Sequence, residues 1–335
     1  MVSPAITPTL NQRFKDFFST LSFAESIDLL QLPPEANAKK RADYFISNRS
    51  VIVELKALES DPEHKVKEEL AKHEKRDDYP VFLGKMELFK ILRHLPDGNR
   101  INEKLFYRVS RSIEQSIREA DKQIASTKQI FNCNSSCGIV IILNENIDIL
   151  TPQLITTRVS QQLTKRDSNG ELHYKNIDAA WIVFENFVST HTKNTFAQPT
   201  IFVLSPSSEN NSVLNTTAEL LEQEWARYNK IPLIQSEAKT VQEHDFKSKK
   251  SAIKSQPLSN HEVWREQYRN APYLRSLSDN DVLAYGKRTA TTMEPHFLKD
   301  GHKLPTFIVA KLMKDWTCFL EEASFRGLNL KAILR

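Results

Sequence analysis

The segment Ala42 to Leu58, ADYFISNRSVIVELKAL, constrains this chain more than any other stretch. Tyr44, Phe45 and Ile46 favour a strand, as do Val51, Ile52 and Val53. Ser47-Asn48-Arg49-Ser50 between them is turn-like. The pattern predicts a β-hairpin built to be buried. Yet Asp43 stands at the start of its first strand, and Glu54 and Lys56 lie in its second. Two carboxylates and an amine therefore sit in a segment whose other residues belong in a core.

Side chains alternate along a strand. Val51, Val53, Leu55 and Ala57 share one face, and Ile52, Glu54 and Lys56 share the other. If Asn48-Arg49 is a two-residue loop, Ser47 opposes Ser50 and Asp43 opposes Glu54. Directly opposed Cβ atoms lie about 5 Å apart. Two facing carboxylates destabilise a sheet unless something neutralises them. Lys56 is one candidate, and a divalent cation with oxygen ligands is a better one. A longer turn would separate the acids. The plain alternative is a wet surface hairpin in which Lys56 pairs diagonally with Asp43. Such a pair is worth about 0–1 kcal/mol, and it leaves the apolar strands unexplained.

The elements around the hairpin follow from periodicity. Residues 9–21 carry Leu10, Phe14, Phe17, Phe18 and Leu21 at helical spacing, with Thr9 as cap. Residues 23–31 read as a second helical segment, with Glu25 and Asp28 as its acids, ended by Pro33-Pro34. A charged helix over 65–75 and a helix over 81–95 follow, the latter stopped by Pro96-Asp97-Gly98. Residues 103–131 read as one long helix, because Leu105, Val109, Ile113, Ile117, Ala120 and Ile124 form one apolar stripe. GIVIIL at 138–143 is a β-branched run of the kind found in a central strand. Thr151-Pro152 starts a helix to about Leu163. AAWIVF at 179–184 and TIFVL at 200–204 are two more buried-strand candidates, and 212–228 is helical. This order predicts an α/β fold with a mixed sheet flanked by helices. Residues 235–258 are polar and without period, and read as a linker. The expected organisation is thus a domain over 1–234, the linker, and a helical C-terminal region over 259–335.

Several function classes are excluded by what the sequence lacks. Only 7 glycines are present, with no GxGxxG and no GxxxxGK[ST], so no phosphate-cradling loop is available. The nine histidines form no HExxH, and no GxSxG occurs. Cys133, Cys137 and Cys318 are too few for a structural zinc site, which needs about four ligands. So few cysteines in a long chain suggest reduced thiols, and the expected setting is cytoplasmic. No apolar run fits a signal peptide or a membrane span, so no membrane is expected as a partner. The net charge of +4 permits a nucleic-acid partner without demanding one.

Asp43, ten intervening residues and then Glu54-Leu55-Lys56 resemble the D…ExK signature of the PD-(D/E)XK nuclease superfamily. A helix before the hairpin, a long helix after it and then GIVIIL resemble the order of that family's core. The resemblance covers about residues 8–145. Ala42, not proline, precedes Asp43, a departure common in so diverse a family. The resemblance implies a restriction-endonuclease-like core and Mg²⁺-dependent hydrolysis of phosphodiester bonds in DNA, with Mn²⁺ as a substitute metal. It implies that Asp43 and Glu54 hold the metal together with the backbone carbonyl of Leu55, and that Lys56 positions or activates the attacking water. It further implies an acid from the preceding helix, Glu25 with Asp28 second. A polar residue from the following helix is also implied, Gln123. An exposed helical acid and a solvated glutamine are the ordinary readings of those last positions. The competing function is a nucleic-acid-binding or assembly subunit that keeps the fold without turnover. Its C-terminal helices would dock a protein partner or a second copy. In that region Trp264 and Tyr268 read as packing rather than base stacking.

Overall fold

The computed structural model describes residues 8–31, 39–74, 76–80, 91–192, 195–234, 246–249, 260–298 and 301–333. Two units make up the chain: residues 1–65 with 106–254, and residues 66–105 with 255–335. Residues 66–105, expected within the first domain, thus group with the C-terminal helices.

The first unit is built on a mixed six-stranded sheet. Its strands are β1 (Ala24–Ser26), β2 (Tyr44–Ile46), β3 (Val51–Ala57), β4 (Cys137–Asn144), β5 (Ala179–Phe184) and β8 (Thr200–Leu204). They lie side by side in that order. The β3–β4 and β4–β5 pairs are parallel and the other three are antiparallel. The central strand β4 is the GIVIIL run, buried from Gly138 to Asn144. Strand β8, expected to be buried, lies at the sheet edge and is half-buried.

Helix α1 (Leu10–Thr20) starts where Thr9 Oγ1 accepts the Gln12 N–H at 3.2 Å. Its Phe14, Phe17 and Phe18 face the sheet side formed by Val51, Val53 and Leu55. Trp225 of α6 (Ser212–Tyr228) joins the same layer. Phe14 is central there: its ring lies 4.1 Å from Trp225 and 5.5 Å from Trp181 of β5, centroid to centroid. The other side of the sheet is covered by α4 (Arg111–Ile130) over β3 and β4, and by α5 (Pro152–Leu163) over β5 and β8. Gly138 marks the close approach on that side. A Cβ there would meet the Asn176 carbonyl oxygen at 2.0 Å and Ile124 at 2.9 Å.

Three expectations are corrected, and the charged helix expected over 65–75 is present with bounds shifted toward the N-terminus. Residues 23–31 are not a helix: strand β1 is followed by a single 3₁₀ turn, Ile27–Leu29. The segment is captured by the hairpin, with Glu25 opposite Phe45. Residues 103–131 are not one helix. Gly98 opens α3 (Gly98–Val109) rather than following a stop, and the chain breaks at Ser110 before α4. The buried Ser110 hydroxyl donates to the Phe106 carbonyl at 2.6 Å, a local bond that competes with helix continuation. The charged helix expected over 65–75 is α2 (Glu63–Ala71). Within the expected linker, β9 (Phe246–Ser248) pairs with β6 (Phe187–Thr192), which also pairs with β7 (Thr195–Ala197). Residues 32–38, 81–90, 235–245 and 250–258 lie outside the described residues, and with them Pro33-Pro34 and most of the helix expected over 81–95.

The second unit contains α7 (Asn260–Asn270), α8 (Asp279–Phe297) and α9 (Thr306–Arg326). Tyr268, Val282, Phe319 and Leu328 belong to its core. Tyr268 is buried, as its reading as a packing residue requires. The buried Glu322 carboxylate accepts from Tyr268 Oη (2.6 Å), Arg326 Nε (2.7 Å) and Arg275 Nη2 (3.3 Å), so its charge is paired. Among the described residues, no helix is long and apolar enough to cross a membrane.

Phe14→Ala should lower the stability of the first unit by about 3–5 kcal/mol, because it empties the space between two tryptophans. Urea unfolding followed by tryptophan fluorescence measures this. A loss below about 1 kcal/mol would show that this layer does not hold the sheet.

Candidate active site

The hairpin sets the geometry. Tyr44 opposes Val53, Phe45 opposes Ile52 and Ile46 opposes Val51. The ladder closes at Ile46–Val51, so four residues, Ser47 to Ser50, connect the strands rather than the expected two-residue loop. The Ser50 N–H donates to the Ser47 carbonyl at 3.2 Å, the Ser47 N–H donates to the Phe23 carbonyl at 3.0 Å, and Ser47, Asn48 and Arg49 have φ of 50°, 54° and 66°. Arg49 is further held by Glu25, whose two carboxylate oxygens accept from its Nε and Nη2 at 2.9 and 3.0 Å.

This register carries Asp43 to Glu54. The Asp43 N–H donates to the Val53 carbonyl at 3.0 Å, and its Oδ2 accepts the Leu55 N–H at 2.7 Å. The Asp43 and Glu54 carboxyls are close enough to act on each other electrostatically, each altering the other's tendency to ionise. Glu54 is 2% exposed. Its Oε1 faces Lys56 Nζ at 2.9 Å, while its buried Oε2 has no hydrogen-bond donor. Burial pushes the Glu54 carboxyl up to about 8, helped by the neighbouring Asp43 charge and opposed by Lys56. Burial also raises Asp43, against the pull of the Leu55 N–H. The pair thus tends to keep a proton where two separate carboxylates would be ionised.

Helix α4 closes the site. Lys56 Nζ donates to Gln123 Oε1 at 2.6 Å, and Gln123 Nε2 donates to the Arg41 carbonyl at 2.9 Å. One turn on, Thr127 Oγ1 accepts the Ala42 N–H at 2.8 Å. One turn back, Glu119 Oε2 lies 3.8 Å from Lys56 Nζ. The three α4 residues are spaced by four, so they line one helix face above the chain that leads into Asp43.

Of the residues expected from sequence, Asp43, Glu54, Lys56 and Gln123 come together. Glu25 does not: it sits on β1 near the turn and is committed to Arg49. Asp28 lies nearer, because its charge reaches Asp43, but its carboxylate pairs with Arg41 at 3.0 Å. Leu55, expected to lend a carbonyl, lends its N–H to Asp43. Glu119 and Thr127 were not singled out. Their signal was the spacing E-x3-Q-x3-T along α4, beside the apolar stripe.

The donor set fits a hard divalent cation. It consists of oxygen atoms, two of its groups are neighbouring carboxyls, and one buried oxygen lacks any partner. Among the described residues, no group of three or more Asp, Glu, His or Cys side chains gathers at one point. Mg²⁺ is ordinarily bound through one or two carboxylates, with water filling the rest of its shell. Compared with known proteins, the chain matches no family model, no curated protein and no solved structure.

In metal-free buffer, stability should fall as pH rises from about 4.5 to about 8, and level off above. The folded state keeps the Glu54 proton through that window and the unfolded chain does not. The slope from this group is at most about 1.4 kcal/mol per pH unit. Glu54→Gln should flatten the window and raise the melting temperature most at the alkaline end. Thermal unfolding across pH 4–9 reads both. Equal slopes in wild type and variant would show that Glu54 is an ordinary carboxylate.

Proposed function

We propose that this chain is a divalent-cation-dependent nuclease with a restriction-endonuclease-like core, hydrolysing phosphodiester bonds in DNA. The observation that carries the reading is the cluster of Asp43, Glu54 and Lys56 on the hairpin with Gln123 of α4 against them, and a buried Glu54 oxygen left unpartnered. The D…ExK resemblance agrees with it. The helix–hairpin–helix–strand order supports the fold assignment, since α1 precedes the hairpin and α4 precedes β4.

The chain's own residues have definable tasks. Asp43 and Glu54 would hold the cation, and binding would displace the proton that they keep in its absence. When bound, Mg²⁺ supplies positive charge for the phosphate oxygens and acidifies a bound water. Lys56 is a compact point charge beside the two acids. It can orient the attacking water and offset charge on the phosphate. Gln123 fixes the ammonium from the helix side, and the Arg41 carbonyl fixes Gln123. The water oxygen bonds to phosphorus, one ester P–O bond breaks, and the leaving oxygen takes up a proton. The products are a phosphate monoester and an alcohol, with no covalent enzyme intermediate. All three cysteines are free, which fits the cytoplasmic setting included in this reading.

Plasmid and single-stranded DNA incubated with the protein test the proposal. Cleavage is expected with Mg²⁺ and not with EDTA. Lys56→Ala and Glu54→Ala should each lower the rate by at least about a hundredfold, the usual scale for lost charge stabilisation at a reacting group. DNA binding without cleavage, unchanged in both variants, would replace this reading with that of a non-catalytic binding subunit.

A further inference from the structure

Glu119 is a half-exposed acid with two side-chain contacts, one along its own helix and one to Lys56 of the site. Its Oε1 accepts from Gln115 Nε2 at 3.0 Å, and its Oε2 faces Lys56 Nζ at 3.8 Å. Its side chain is 44% exposed, whereas that of Lys56 is 17% exposed and that of Glu54 is 3% exposed. Gln115, Glu119 and Gln123 follow one another at intervals of four on α4, so the carboxylate is steadied from one side and aimed at the amine on the other.

The Lys56 ammonium has three N–H donors. Glu54 takes one side at 2.9 Å and Gln123 takes another at 2.6 Å. Both are true hydrogen-bond distances, and Glu54 is buried. The third side faces Glu119 at 3.8 Å, which is Coulombic contact but too long for a hydrogen bond. Of the two acids that flank the ammonium, Glu119 is the more exposed. An incoming anionic oxygen can therefore reach Lys56 from Glu119's direction without breaking the two short bonds. Lys40 and Arg118 act on the same carboxylate, and both are exposed. Two exposed cations therefore add to Lys56 in the field at this carboxylate.

We propose that Glu119 is a positioning residue that holds the phosphate-facing side of Lys56 until a substrate phosphate oxygen takes its place. It keeps the ammonium aligned in the free protein, and it competes with the phosphate for Lys56, Lys40 and Arg118. Binding of nucleic acid must push this carboxylate aside or face its charge. The competition weakens binding where no cation offsets it. The inference rests on the nuclease reading for the identity of the anion, and on the contacts above for its position.

The test uses the full chain and a fluorescently labelled oligonucleotide, with Ca²⁺ or EDTA for binding and Mg²⁺ for turnover. Glu119→Gln keeps the length and hydrogen-bonding capacity and removes the charge. It should tighten oligonucleotide binding in EDTA by about three- to fivefold, the scale of one partly exposed charge contact. KM in Mg²⁺ should fall by a similar factor. Glu119→Ala should also tighten binding, and Glu119→Asp, which keeps the charge, should not. A residue of merely structural importance would instead lower the melting temperature and weaken binding in all three variants. Unchanged Kd and KM in folded Glu119→Gln, beside normal cleavage by the wild type, overturn this inference alone. Tighter binding by Glu119→Gln with no cleavage by any form overturns the nuclease reading and leaves the inference standing. No binding by any form overturns both.

Discussion

The juxtaposition of the Asp43 and Glu54 carboxyls is the constraint to which the rest of the site answers. A sheet does not ordinarily place two acids across from each other under a covering helix. Here the register leaves no choice. The short connection Ser47–Ser50 closes the ladder at Ile46–Val51, and Val51, Val53 and Leu55 must point toward α1. A slip of one residue would turn those side chains outward and bring Glu54 into the phenylalanine layer. The hydrophobic pattern therefore holds the two acids together, and their chemistry follows from that. Glu54 retains a proton because burial and its neighbour both disfavour its charge.

The supporting interactions are arranged to keep this pair and not to relieve it. The Leu55 N–H stabilises Asp43 and Lys56 stabilises Glu54, yet Glu54 Oε2 is left without a donor. A fold selected for stability alone would gain from glutamine or an apolar residue there. Helix α4 reinforces the arrangement through Gln123 and Thr127, which tie the helix to the backbone at Arg41 and Ala42. The same helix packs its isoleucines on the sheet. One element thus supplies core and site together, and movement of the sheet against α4 would disturb both.

Much of this was legible in the sequence because strand alternation and a short chain connection are local properties, and the expected register holds although the connection is Ser47–Ser50 rather than a two-residue turn. Asp43 opposite Glu54 follows from counting, and the apolar stripe of α4 places Gln123 beside the sheet. Other features depended on partners distant in the chain. Residues 23–31 carry apolar residues at spacings that suit a helix, but pairing with β2 makes Ala24–Ser26 a strand and takes Glu25 away from the acids. The break at Ser110 is invisible because the apolar stripe runs across it without a gap. Glu119 looks like any solvent-facing helical acid until Lys56 is seen opposite. The short strands β6 and β9 lie in polar sequence, and only their mutual pairing defines them. The grouping of residues 66–105 with the C-terminal helices has no local signature at all.

The central claim is that the Asp43–Glu54 pair is built for a cation. Crystals grown without metal and then soaked in Mn²⁺ test it directly through anomalous diffraction. The expected result is a single strong peak coordinated by both carboxylates in the wild type, lost in Asp43→Asn crystals of the same form. A wild-type map with no peak at the pair, or a peak that survives in Asp43→Asn, would contradict the account.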